Sequence, residues 1–147
     1  MSKSISLTQE RLAAFEQACR DAGLRLTHQR QEIFRELAES RDHPTVELLH
    51  QRLRRRIPTL SMDTVYRTLA TFAGLRLINK VETIEAQGRY EVALNTHHHL
   101  ICSRCNTILD FDWPAIDKAS LPDGIGNWGR IEHRNIVLYG VCRKCLQ

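Results

Sequence analysis

Two Cys-x-x-Cys pairs, Cys102 with Cys105 and Cys142 with Cys145, are the residues of this chain best suited to chemistry. Such a turn points both sulfurs into one small volume. Two turns brought together place four thiolates at the corners of a tetrahedron, the geometry of a structural zinc site. The alternative is two disulfides or four inert thiols, and the paired spacing favours metal over either. Just before the first pair runs Thr96-His97-His98-His99, and just after it comes Asp110, so a second group of metal-ligand types adjoins the sulfurs. Zinc catalysis is disfavoured, and the chain is not expected to be an enzyme. Four cysteines fill a tetrahedral shell and leave no position for a reactive water, and neither an H-x-E deaminase pattern nor H-E-x-x-H occurs.

Composition bounds the scaffold that must hold these groups. A length of 147 residues allows one or two small domains, and 42% hydrophobic residues can build real cores. No apolar run is long enough to span a membrane, and the N-terminus lacks the apolar stretch of a signal peptide. The fifth cysteine, Cys19, fits a reducing compartment, so a cytoplasmic location is expected. Charge divides the chain. Residues 1–80 hold 14 Lys/Arg against 9 Asp/Glu, and residues 81–147 hold 7 against 8. A basic first half points to a polyanion such as DNA, with a merely solvated basic surface as the plain alternative.

Apolar periodicity predicts four short helices in the first half. Leu12, Phe15, Cys19 and Ala22 mark the first, with Gly23 as its stop. Ile33, Phe34 and Leu37 mark the second, between Thr27 and Ser40. Pro44 is placed to open the third, which turns Val46, Leu49 and Leu53 inward. Ser61 is a good N-cap for the fourth, which carries Val65, Leu69 and Phe72 inward and ends at Gly74. Leu77-Ile78 and Tyr90-Glu91-Val92 read as two strands around the turn-prone Ala86-Gln87-Gly88. Helices followed by a hairpin make a winged helix-turn-helix, assigned to residues 1–94.

The fourth helix has a polar face suited to a major groove. Ser61, Thr64, Tyr66, Arg67 and Thr68 are its candidate DNA contacts, and Arg25 is counted with them. Arg67 can fork onto guanine or a phosphate, and Thr64 can meet a thymine methyl or a phosphate. The run Arg52-Leu53-Arg54-Arg55-Arg56 suits a phosphate-facing or solvated stretch better than base reading. Residues 95–147 read as a second domain. Its predicted strands are Leu100-Ile101, Ile108 to Phe111 and Ile136 to Tyr139, with a helix from Pro114 to Ala119. So small a sheet is marginal alone, and zinc and dimerisation would both stabilise it. The fold class is therefore α+β: a winged helix-turn-helix followed by a small α/β dimerisation domain with a four-cysteine zinc site.

His43-Pro44-Thr45, the segment Ser61 to Leu69, His97-His98-His99 running into Cys102-x-x-Cys105, and Tyr139-Gly140-Val141-Cys142-x-x-Cys145 together resemble the ferric uptake regulator superfamily. The resemblance covers nearly the whole chain, with the motifs in family order. It implies a homodimeric, metal-dependent transcriptional repressor that binds a palindromic double-stranded DNA operator. It also implies a regulatory metal site built from His43, Glu91, His97, His99 and Asp110. The donor types agree, since imidazoles with carboxylates suit Fe(II), Mn(II) or Zn(II), while an all-thiolate set selects zinc. His97 and His99 alternate onto one face of an extended segment, and His98 faces the other way, toward solvent or behind the ligands. A third metal site from His98, Asp117 and His133 is poorly matched in spacing. His28 and His50 each sit alone on a helix and read as ordinary surface residues.

Asp110 is similar to the peroxide-sensing branch of that superfamily, where the iron-sensing branch usually carries Glu. In that branch Fe(II) and peroxide oxidise a ligand, here His43 or His97, to the 2-oxo form and release the repressor. Glu91 departs from it, since peroxide sensors typically have Asp at that place. Iron sensing is the second reading and zinc sensing the third. A zinc-stabilised protein-interaction module is the rival from another class.

Overall fold

In the computed structural model, residues 2–83, 87–92 and 97–147 are described, with side chains from Leu7 onward. Two compact units emerge, Met1–Ala93 and Leu94–Gln147. The expected boundary between residues 94 and 95, and Ala86 of the expected turn, lie outside the described residues.

The first unit has four helices: α1 (Ser2–Asp21), α2 (His28–Glu39), α3 (Val46–Leu53) and α4 (Met62–Gly74). Three begin with a hydroxyl cap that satisfies a backbone donor the helix itself leaves open. Thr27 accepts from Arg30 N at 3.2 Å, Thr45 from Leu48 N at 3.2 Å and Ser61 from Thr64 N at 3.1 Å. Thr45, not Pro44, therefore opens α3. The Pro44 carbonyl instead accepts from Tyr90 N at 3.0 Å.

Two helices stop by the same device. Gly23, at φ +68°, lets Leu24 N reach back to Cys19 O at 2.8 Å. After α4 the left-handed residue is Arg76, at φ +59°, and Leu77 N reaches Phe72 O at 2.9 Å. Gly74 is thus the last helical residue rather than the turn that ends the helix. Leu77 is occupied in closing α4, so β1 starts later than expected, at Asn79–Val81. It pairs antiparallel with β2 (Arg89–Glu91), Lys80 opposite Tyr90. Val92 lies beyond the ladder.

Three phenylalanines from three helices knit the core. Phe15 of α1 stacks on Phe34 of α2 with centroids 4.0 Å apart, and Phe72 of α4 meets them edge-on at 5.0 and 6.3 Å. Leu49 and Leu53 of α3 complete it, and Cys19 is buried there as an apolar group. The result is a winged helix-turn-helix.

The second unit is a three-stranded sheet ordered β4-β3-β5, from β3 (His98–Cys102), β4 (Ile108–Phe111) and β5 (Val137–Gly140). β3 pairs antiparallel with β4 and parallel with β5. The parallel pairing requires a crossover, which holds α5 (Pro114–Asp117) and a 3-10 turn at Ile125–Asn127. α5 is shorter than expected. Ala119 N bonds to Ile116 O, tightening the last turn, and Pro122 and the left-handed Gly124 follow. A final short helix, α6 (Arg143–Leu146), was not anticipated from the pattern. Ile101 and Ile108 are buried, whereas Leu109, Leu100 and Leu138, adjacent in register, are exposed. Among the described residues no helix is long and apolar enough to cross a membrane.

Because Phe72 is fully buried and touches both other rings, Phe72→Ala should destabilise the first unit by about 3 to 5 kcal/mol, read from the urea midpoint.

Candidate metal centres and nucleic-acid interface

The strand ends of the second unit bring the cysteines together. Cys102 closes β3 and Cys105 follows in the turn to β4, where Asn106 takes the left-handed φ of +60° that its short side chain tolerates. Cys142 and Cys145 flank the start of α6, just after β5. All four sulfurs lie within 4.8 Å of one another, and Cys105 Sγ is 3.7 Å from Cys142 Sγ. Zinc with four bonds of about 2.3 Å needs sulfurs about 3.8 Å apart, so the set fits that ion.

Hydrogen bonds prepare the thiolates unevenly. The backbone N–H groups of Cys142 and Cys105 point at Cys102 Sγ from 3.3 and 3.5 Å and lower its pKa to about 6. Thr107 Oγ1, 3.2 Å from Cys105 Sγ, is placed to donate to it and lowers that pKa too. Cys145 has its proton held by the neighbouring sulfurs of Cys142 and Cys105, which push it to about 12. Arg104 Nη1 donates to Cys145 O at 2.7 Å, and Ser103 donates to Gly140 O from N at 2.8 Å and from Oγ at 3.1 Å. Those contacts dock the C-terminal knuckle on the first one.

The histidine run lies on the same strand. His97 Nε2 is 3.8 Å and His99 Nε2 3.4 Å from Asp110 Oδ1, because register sets His99 opposite Asp110. Alternation does turn His98 the other way, but onto a buried face. Its Nδ1 accepts from Ile136 N at 2.9 Å and its Nε2 meets Asp117 Oδ1 at 2.8 Å. Of the two expected settings for His98, solvent is excluded, since Asp117 of α5 and Ile136 cover it, and a place behind the ligand-bearing strand face remains. Arg134 donates to Ile116 O at 2.9 Å and Ala119 O at 2.7 Å, closing α5 down. Among the described residues His133 does not join His98 and Asp117 in a metal-ligand group.

In the first unit His43 Nε2 meets Glu91 Oε2 at 2.8 Å. His43 has φ +49°, a left-handed conformation costly for a residue with a Cβ and kept where surrounding structure enforces it. The Pro44 carbonyl bond to Tyr90 supplies that constraint and sets His43 beside β2.

The helix proposed to meet DNA presents Tyr66, 57% exposed, and Arg67, paired with Asp63 at 2.9 Å on the same surface. Ser61 and Thr64 share the N-cap, their hydroxyls 2.8 Å apart. Thr68 is withdrawn from the candidates: it is buried with Val65, Leu69 and Phe72. Arg25 is exposed, its carbonyl accepting from Arg30. The basic run is partly engaged in surface ion pairs. Arg52 pairs with Asp42, and Arg56 with Glu36 at 3.0 Å and Glu32 at 3.4 Å, while Arg54, Arg55 and Arg56 are all exposed. Sequence reasoning missed Lys80, which pairs with Glu82 at 3.2 Å and stands within electrostatic reach of Tyr66. Its stem lies across Gly88, where a Cβ would run into Lys80 Cε.

Comparison with known proteins follows the same lines. A sequence model of the ferric uptake regulator family matches residues 21–124. The peroxide-responsive repressor PerR of Staphylococcus epidermidis is 32% identical over 127 residues, spanning 86% of this chain and 84% of its own. The solved structure of the Helicobacter pylori ferric uptake regulator Fur superposes with a TM-score of 0.77 at 24% identity, over 95% of this chain and 94% of that one, which is a likeness of fold. A zinc-bound manganese uptake regulator superposes with a TM-score of 0.66 at 32% identity, over 86% of this chain and 97% of that one.

Zinc uptake by the four cysteines should release fewer than four protons near pH 7, since Cys102 is already largely thiolate while Cys145 must give up its proton. Calorimetry in buffers of different ionisation enthalpy counts them, and acidification through the Cys102 value should raise the count.

Proposed function

The chain belongs to the ferric uptake regulator family of metal-responsive repressors, and on that basis we propose that it senses peroxide through a regulatory metal held by His43, Glu91, His97, His99 and Asp110. The single observation that carries the branch is Asp110, a short carboxylate facing both His97 and His99. The likeness to peroxide-responsive repressors supports it. Glu91 stands against a simple match, which keeps iron sensing as the second reading.

Each unit offers an incomplete shell. His43 with Glu91 gives one pair of donors, and His97, His99 and Asp110 give three. Fe(II) or Mn(II) in a nitrogen and oxygen environment takes more donors than either group has alone. Filling one shell from both groups would fix the winged helix against the sheet, and the fixed arrangement would be the DNA-binding one. Metal affinity and DNA affinity are then linked by the same free energy in both directions. The four cysteines take no part in that switch; their zinc holds the sheet that carries three of the ligands.

On DNA, Tyr66 and Arg67 would enter the major groove, with Arg67 leaving Asp63 to fork onto a guanine or a phosphate. Thr64, Arg25, Arg54, Arg55 and Lys80 are suited to phosphates. The exposed row Leu109, Leu100 and Leu138 suits the face a second copy would cover, and a two-fold dimer reads a palindromic operator.

Bound Fe(II) supplies the electrons that reduce peroxide, which Mn(II) does not. The protein's part is to hold an imidazole carbon of His43 or His97 beside that chemistry. Treating the Fe(II) protein with stoichiometric peroxide should add the mass of one oxygen atom to a peptide containing His43 or His97 and release DNA, with the Mn(II) protein unchanged. Unmodified histidines with DNA still bound would remove the peroxide reading and leave the iron-sensing one.

A further inference from the structure

His50 stands alone on α3, yet its ring does not end in solvent. Nε2 lies 2.7 Å from the Leu60 carbonyl, and only the ring N–H can donate in that pair. Leu60 is buried, and the next residue, Ser61, is the N-cap of α4. The turn between α3 and α4 therefore has three side-chain anchors, the third being Arg56 in mid-turn, which pairs with Glu36 and Glu32 of α2 well before the start of α4. Ser61 Oγ holds the first turn of α4 from inside at 3.1 Å, and His50 holds the carbonyl that feeds into it. The turn's backbone bonds, Arg56 N and Ile57 N to Leu53 O and Leu60 N to Ile57 O, fix the local curl but not the direction in which α4 leaves. The arm from His50 is rooted in a helix that also packs Leu49 and Leu53 in the core. It thus refers the start of α4 to the rigid body of the unit.

We propose that His50 is a positioning residue for DNA recognition: its Nε2–H to Leu60 O bond sets the entry of α4, and so the placement of Tyr66 and Arg67 against base edges. This rests on α4 being the helix that reads DNA. Base-edge contacts carry the sequence information, whereas phosphate contacts carry none directly. Loss of the anchor therefore lowers discrimination more than general affinity.

The test uses the full-length metal-loaded protein. The probes are a duplex that the wild-type protein enriches from a random-sequence pool and a scrambled duplex of equal length. His50→Phe keeps the ring bulk and removes the donor, and His50→Gln restores a side-chain N–H. His50→Phe should bind the enriched duplex about fivefold to tenfold more weakly, with the scrambled duplex hardly affected, and His50→Gln should recover most of the loss. In the free protein, amide hydrogen exchange at residues 62–65 should speed up in His50→Phe and not in His50→Gln. Equal losses on both duplexes, or wild-type affinity and exchange in His50→Phe, would overturn the proposal. Failure of the wild-type protein to enrich any duplex would instead remove the DNA reading of α4, and the exchange measurement would still decide whether His50 holds the turn.

Discussion

β3 is the strand on which the second unit depends. Cys102 sits at one end of it and His99 near the other, about 10 Å apart at the rise of an extended chain. The central position between β4 and β5 means that both neighbours register against it. Asp110 faces His99 through β4, and Gly140 faces Cys102 through β5, which leads directly into the second pair of cysteines. A sheet this small has few buried apolar side chains, chiefly Ile101 and Ile108. Drawing four sulfurs together at its end therefore stabilises the register of the whole sheet, and with it the spacing of the histidines and carboxylate proposed as regulatory ligands.

The first unit solves a different problem. Its core is knit by three phenylalanines from three helices, and three of its helices start on hydroxyl caps. That unit keeps the polar face of α4 and the cation of β1 on its surface. Surface ion pairs partly neutralise Arg52 and Arg56 within the basic run. Arg54 and Arg55 remain exposed without such pairing among the described contacts, and Arg25 is exposed at the end of the turn before α2.

Much of this was legible in the sequence because it is local. Cys-x-x-Cys spacing, the Ser61 cap before an apolar repeat and the alternation of His97 with His99 depend on a few consecutive residues. Failures fell where the outcome depends on distant partners or on backbone conformation. Arg76 adopts a left-handed turn that glycine would have signalled. Thr68 lies on the same stripe as Val65, Leu69 and Phe72, so helical phase alone placed it inward, although its hydroxyl suggested a contact. His98 was rightly turned away from its neighbours, but nothing local indicated that α5 would cover it. Thr107, Arg104 and His50 act on groups brought near by folding, which no spacing reveals.

The central claim is that one metal, ligated from both units, switches DNA affinity. Its most direct test is the affinity of the wild-type protein and of His43→Ala for an enriched duplex, with and without Mn(II), at constant zinc content. Mn(II) should tighten wild-type binding by about tenfold or more, and His43→Ala should lose that response while keeping its zinc. An equal Mn(II) response in both proteins, or none in the wild type, would contradict the account.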